Sequence, residues 1–103
     1  MHADWGNVLA DNYGIPYTTV PGTQPTVPIL YETDGAGDES DPGPYPIPPD
    51  AAIEGGPSAP SGDDRHVLVV ETTNCILYEL DHAFPNSGGA SWTTYSSAKF
   101  DLH

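Results

Sequence analysis

The sequence predicts an all-β fold: a small sandwich or a jelly-roll (cupin-like) domain carrying one long Pro/Gly-rich loop. Three observations lead there. Twelve prolines and eleven glycines stand among 103 residues. Both disfavour long helices, Pro because it lacks a backbone donor and Gly because it loses most backbone entropy on folding. No window repeats apolar residues at the helical spacing i, i+3, i+4, i+7. The runs HVLVVE (66–71) and CILYELDHAF (75–84) are dense in the β-branched and aromatic residues that suit a pleated surface.

Residues 1–14 read as irregular, with Trp5 as an anchor. Residues 15–20 (IPYTTV) read as a short strand, closed by the turn formers Pro21 and Gly22. Residues 26–33 (TVPILYET) read as a second strand. Pro28 cannot donate to a ladder, so that strand lies at an edge or carries a bulge.

Residues 34–62 form one long loop, an acidic run (DGAGDESD) followed by a proline run (PGPYPIPP). The proline run is expected to be extended and stiff, like polyproline II. A loop this long in a small domain is functional or disordered. Tyr45 and Ile47 within it imply docking onto the body of the domain.

The strands at 66–71 and 75–84 are expected to form a hairpin through Thr72, Thr73 and Asn74. The expected register pairs Glu71 with Cys75, Val70 with Ile76, Leu68 with Tyr78 and His66 with Leu80. Side chains alternate across a strand, so His66, Leu68, Val70, Ile76, Tyr78, Leu80, His82 and Phe84 would share one face. Val67, Val69, Cys75 and Leu77 would share the other. Both faces are apolar, which places the hairpin between two layers. A slip of one residue would exchange the faces. Residues 92–95 and 98–102 add two short strands after PNSGGAS, and the whole of 1–103 reads as a single domain.

Fifteen acids against two bases give a formal net charge of −13. Nucleic acid and anionic membranes are excluded as partners, since both are bound through Lys and Arg. No apolar run approaches the length of a membrane span. Self-repulsion at this charge weakens the fold, and divalent cations would relieve it. The single cysteine, Cys75, allows no internal disulfide and reads as a small buried hydrophobe. Arg65 follows Asp63 and Asp64 and is expected to form a local ion pair. Neither a Gly-x-Ser-x-Gly elbow nor a phosphate-binding Gly-Lys-Ser/Thr ending is present.

Most of the remaining polar chemistry lies in four histidines. His66 and His82 would stand as diagonal neighbours, roughly 7–8 Å apart. His2 or a carboxylate could supply another ligand. The candidate metal ligands are His2 and His66, with His82, Asp4, Glu39 and Asp41 as further candidates. Two or three imidazoles with a carboxylate, water or Tyr suit copper, zinc or iron, and copper is the favoured metal. His103 is a terminus with no assigned role. Asp34, Asp38, Glu39 and Asp41 could bind calcium through oxygen, although EF-hand spacing is absent. Glu39 and Asp41 could also act as an acid–base pair on a glycosidic bond. The ordinary role of such a run is a solvated loop. Trp5, Tyr45 and Trp92 are candidates for stacking on sugar rings, against the ordinary role of core packing.

The segments PYTTVPGTQPTVP (16–28), DESDPGPYPIPPDAAIEGGP (38–57), DRHVLVVETTNCILYEL (64–80) and AKFDL (98–102) resemble a family of uncharacterised secreted bacterial proteins. The opening HADWG (2–6) resembles that family's His-Pro-Asp-Phe-Gly, with Ala3 and Trp5 as departures. The resemblance implies an extracellular protein. Family members are usually longer at both ends, which implies a single-domain relative or a piece of a longer chain. No signal peptide opens the sequence, so an exported form has lost it or carries it upstream. A weaker resemblance, resting on size, β-rich composition and spare histidines, is to small metagenomic copper enzymes that oxidise cellulose on a cupin-like jelly roll. The cupin pattern of His-x-His followed by Glu is missing here.

Two functions are therefore expected. One is an extracellular metalloprotein, a copper-dependent oxidase acting on polysaccharide with dioxygen or peroxide. The other is a non-catalytic extracellular module, either a glycan-binding domain or a surface or filament subunit that assembles with copies of itself. In the second, the Pro-rich loop and the edge near Pro28 would make the contacts.

Overall fold

Strands form where β-branched and aromatic residues cluster, as the sequence requires. The computed structural model describes residues 16–33, 35–37 and 40–102. Seven strands lie within them: β1 (Tyr17–Val20), β2 (Ile29–Tyr31), β3 (Val67–Glu71), β4 (Ile76–Asp81), β5 (Phe84–Asn86), β6 (Ser91–Thr94) and β7 (Ser96–Asp101). No helix among the described residues is long and apolar enough to cross a membrane.

The strands make two sheets, ordered β1-β3-β4-β7 and β2-β6-β5. Their inner faces enclose one core. Val20, Val67, Val69 and Leu80 come from the first sheet and Trp92 from the second. The chain is thus a small all-β sandwich. β1 runs parallel to β3 and β2 runs parallel to β6. The ladders of a jelly roll are antiparallel, and these two pairs are not.

The Pro-rich segment is part of this core. Tyr45 and Ile47 are both 0% exposed, and Ala51 and Ile53 are buried with them. Tyr45 exchanges two backbone hydrogen bonds with Val27, at 2.9 and 3.1 Å. Its ring stacks at a tilt on Tyr78, 4.9 Å between centroids. The Ala52 N–H donates to Thr18 Oγ1 of β1 at 3.0 Å. Each large side chain buried this way contributes about 1.5–3 kcal/mol. The segment docks because a domain with few aliphatic residues needs those side chains inside.

The hairpin differs from its expected register by one residue. Glu71 pairs with Ile76, Val70 with Leu77, Val69 with Tyr78, Leu68 with Glu79 and Val67 with Leu80. The turn uses four residues, 72–75. Cys75 adopts φ 59°, in the left-handed region. The Asn74 N–H is held by Glu71 Oε2 at 2.7 Å, which stabilises the longer turn. The shift moves Tyr78 and Leu80 to the side of Val67 and Val69, facing the inter-sheet core. Leu68, Val70 and Leu77 form a second cluster on the outer face, with Tyr17 and Leu102 against it. Alternation leaves His66 on the side of Leu68, as expected, but Tyr78 lies on the opposite side.

Candidate functional site

The residues leading into β3 and the junction between β4 and β5 meet at one end of the larger sheet. Two non-glycine residues there hold left-handed backbone, Arg65 at φ 48° and His82 at φ 60°. Such a conformation costs on the order of 1–3 kcal/mol and persists only where its surroundings over-determine it. Here the two segments clasp each other. The His82 N–H donates to the Asp64 carbonyl at 2.7 Å, and the Ala83 N–H to the Arg65 carbonyl at 3.2 Å.

Arg65 supplies the over-determination. It is 3% exposed. Its Nε donates to the Ala83 carbonyl at 3.0 Å, and Nη1 donates to the carbonyls of Ala59 at 2.6 Å and Pro57 at 3.3 Å. Its guanidinium carbon lies 4.2 Å from the centre of the Phe84 ring. The expected ion pair with Asp63 or Asp64 is replaced by this fork of carbonyls and an aromatic face. A buried guanidinium needs several acceptors at once, and the folded-back segment 57–59 offers them.

His66 sits between two carboxylates. Its Nδ1 is 2.7 Å from Glu54 Oε1, and its Nε2 is 3.3 Å from Asp81 Oδ1. The Glu54 N–H donates to the His66 carbonyl at 2.9 Å, which locks the two segments together. Burial alone would lower the pKa of His66. The Glu54 hydrogen bond and the charges of Asp81, Glu54 and Glu79 outweigh that, and the net shift is upward.

Asp64 joins this pair. One donor atom each from Glu54, Asp64 and His66 lie within 4.8 Å of one another. A cavity of about 350 Å³ opens beside them, lined by Glu54, Gly55, Gly62, Asp63 and Asp64. On the other side of the imidazole lies a cavity of about 150 Å³, lined by His66, Glu79, Asp81 and Ser96–Ala98. One nitrogen and two carboxylates are a donor set for a divalent ion with an open coordination position. Bonds of about 2.0–2.2 Å would put donors on one ion at most about 4.4 Å apart. The exposed Asp64 side chain can rotate to close that gap.

Of the histidines expected to ligate, His66 is at the trio. His82 is not. Its Nδ1 bonds the Glu32 carboxylate and its Nε2 bonds the Ser61 carbonyl. Both partners are acceptors, an arrangement that favours the doubly protonated ring. Its pKa is raised, by the Ser61 carbonyl first and then by Glu32. His82 therefore spends both ring nitrogens on Glu32 and Ser61, and it is not among the three donors gathered at His66.

Asp41 also stands elsewhere. Its Oδ2 accepts the Lys99 backbone N–H at 2.9 Å. Its carbonyl accepts the hydroxyls of Ser97 at 3.1 Å and Tyr31 at 3.3 Å, and that of Tyr45 more closely. Asp41 fastens the loop to β7. His2, Asp4, Trp5, Asp34, Asp38, Glu39 and His103 lie outside the described residues. Tyr45 and Trp92 are 0% exposed, so their rings offer no face to a sugar. The core claims them because they are the two largest fully buried side chains.

Sequence reasoning missed Glu54 and Asp64 as companions of His66. Asp64 stands two positions before His66 and was legible as its neighbour. Glu54 is twelve positions away with no spacing to mark it. No family model matches this chain, and no curated protein or solved structure matches it.

Proposed function

We propose that this chain is a divalent-cation-binding β-sandwich module, and that one ion held by Glu54, Asp64 and His66 fastens segment 51–64 to the sheet. The convergence of those three donors carries the reading. Charge supports it as well. Glu54, Asp64, Glu79 and Asp81 gather around one imidazole in a chain of net charge −13. An ion offsets that repulsion where the protein has almost no base to do so.

The donor set suits zinc or manganese. A copper oxidase would draw on more than one imidazole, and His66 is the trio's only one. The reading therefore joins the metal of the first expected function to the non-catalytic role of the second. The ion competes with the Glu54-bound proton of His66, so binding weakens in acid.

Zinc titration of chelator-treated protein by calorimetry tests this. One ion per chain is expected, and none in His66→Ala. Equal uptake by wild type and His66→Ala would sink the proposal.

A further inference from the structure

We infer that Asp81 is a positioning residue of this cation site: it holds the proton on Nε2 of His66 and so presents Nδ1 to the ion. The inference rests on the cation-binding reading above. Its geometry is independent of that reading.

Continuing the β3–β4 register one step beyond the Val67–Leu80 pair brings His66 opposite Asp81. The register expected from sequence would have placed Leu80 there. The four-residue turn at 72–75 therefore decides that an acid, and not a leucine, faces the imidazole.

The two ring nitrogens face different carboxylates. Nδ1 faces Glu54, itself a member of the trio, at 2.7 Å. Nε2 lies 3.3 Å from Asp81 Oδ1 beside the smaller cavity, an ion-pair contact that is not an aligned hydrogen bond in this structure. A neutral imidazole that ligates through one nitrogen keeps its single proton on the other. That proton almost always goes to a carboxylate, carbonyl or water, which fixes the tautomer and the ring orientation. Asp81 is the carboxylate that faces Nε2, within a small ring rotation of accepting that proton.

Asp81 is also held firmly. It ends β4 and pairs with Ser96 of β7. Its carbonyl accepts the Tyr95 N–H at 2.9 Å and the Thr94 hydroxyl. The left-handed turn at His82 then carries the chain away. The Asp81 carboxylate stays on the outer face with His66 while the next imidazole leaves it.

The test is zinc calorimetry on the chelator-treated full chain, at one pH, with wild type, Glu54→Gln, His66→Ala and Asp81→Asn. Glu54→Gln and His66→Ala should lose the site. Asp81→Asn should keep one zinc per chain with affinity lowered by about 10–100-fold, and Asp81→Glu should recover part of it. Melting of the zinc-free proteins separates this from a structural role, since affinity should fall without a matching fall in melting temperature. Wild-type affinity in Asp81→Asn overturns the inference and leaves the cation site standing. Complete loss in Asp81→Asn with binding retained in Glu54→Gln also overturns it, because Asp81 would then be a ligand through Nε2. A wild type that takes up no zinc overturns the cation-binding reading itself. If Asp81→Asn does not fold, Asp81→Ser is judged by the same outcomes.

Discussion

Glu54 Oε1 lies 2.7 Å from His66 Nδ1, and the backbones of the same two residues are hydrogen-bonded at 2.9 Å. One contact of side chains and one of main chain thus close a loop of segment 54–66 at a single point. That point is also one corner of the Glu54–Asp64–His66 trio proposed to hold a cation.

Glu54→Gln should cost about 1 kcal/mol of stability without metal. It exchanges a charge-assisted hydrogen bond for a neutral one at a half-buried place, where solvent screens part of the gain. Urea unfolding of the zinc-free protein checks this, and a midpoint equal to wild type would refute it.

The two histidines set a pH dependence. Both have pKa values raised above the unfolded value of about 6.5. Their contribution is complete below that pH and fades as pH rises through the folded values. The ion-free chain should therefore melt at a higher temperature near about pH 6 than near about pH 8. His66→Gln together with His82→Gln should flatten that slope. A wild-type melting temperature that climbs over the same interval would contradict the assignment.

Arg65 cannot be replaced by Lys. An ammonium on a flexible stem cannot reach the carbonyls of Ala83, Pro57 and Ala59 together or lie flat on Phe84. Arg65→Lys should destabilise the protein by about 2 kcal/mol or more, through buried acceptors left unpaired. It should also weaken zinc binding, because Arg65 braces the segment between Glu54 and Asp64. A urea midpoint within error of wild type would exclude this role.

Tyr45 should behave as core. Tyr45→Ala should cost about 3–5 kcal/mol. Tyr45→Phe should cost about 1–2 kcal/mol, from the lost hydroxyl contacts to Ser97 and the Asp41 carbonyl. Chemical denaturation of both variants gives the comparison. Small and equal losses would return Tyr45 to the surface.

Local chemistry determined much of this protein from sequence alone. The β-branched and aromatic runs at 66–71 and 75–84 had to hold strands, although the second is divided between β4 and β5, the prolines had to forbid helices, and Tyr45 and Ile47 had to seek burial. The acidic excess, fifteen acids against two bases, was fixed in the same way and pointed to cations as ligands to test. These features depend on single residues and their neighbours, so they are written along the chain.

Register and convergence are different in kind. One extra turn residue, Cys75 at φ 59°, moved Tyr78 inward and set Asp81 across from His66. Arg65 chose carbonyls over the acids beside it because its side chain was buried by a segment several residues away. Glu54 met His66 only when the Pro-rich segment folded into the core. Each outcome is decided by packing between distant parts of the chain, where small differences in burial choose among partners that the sequence offers equally.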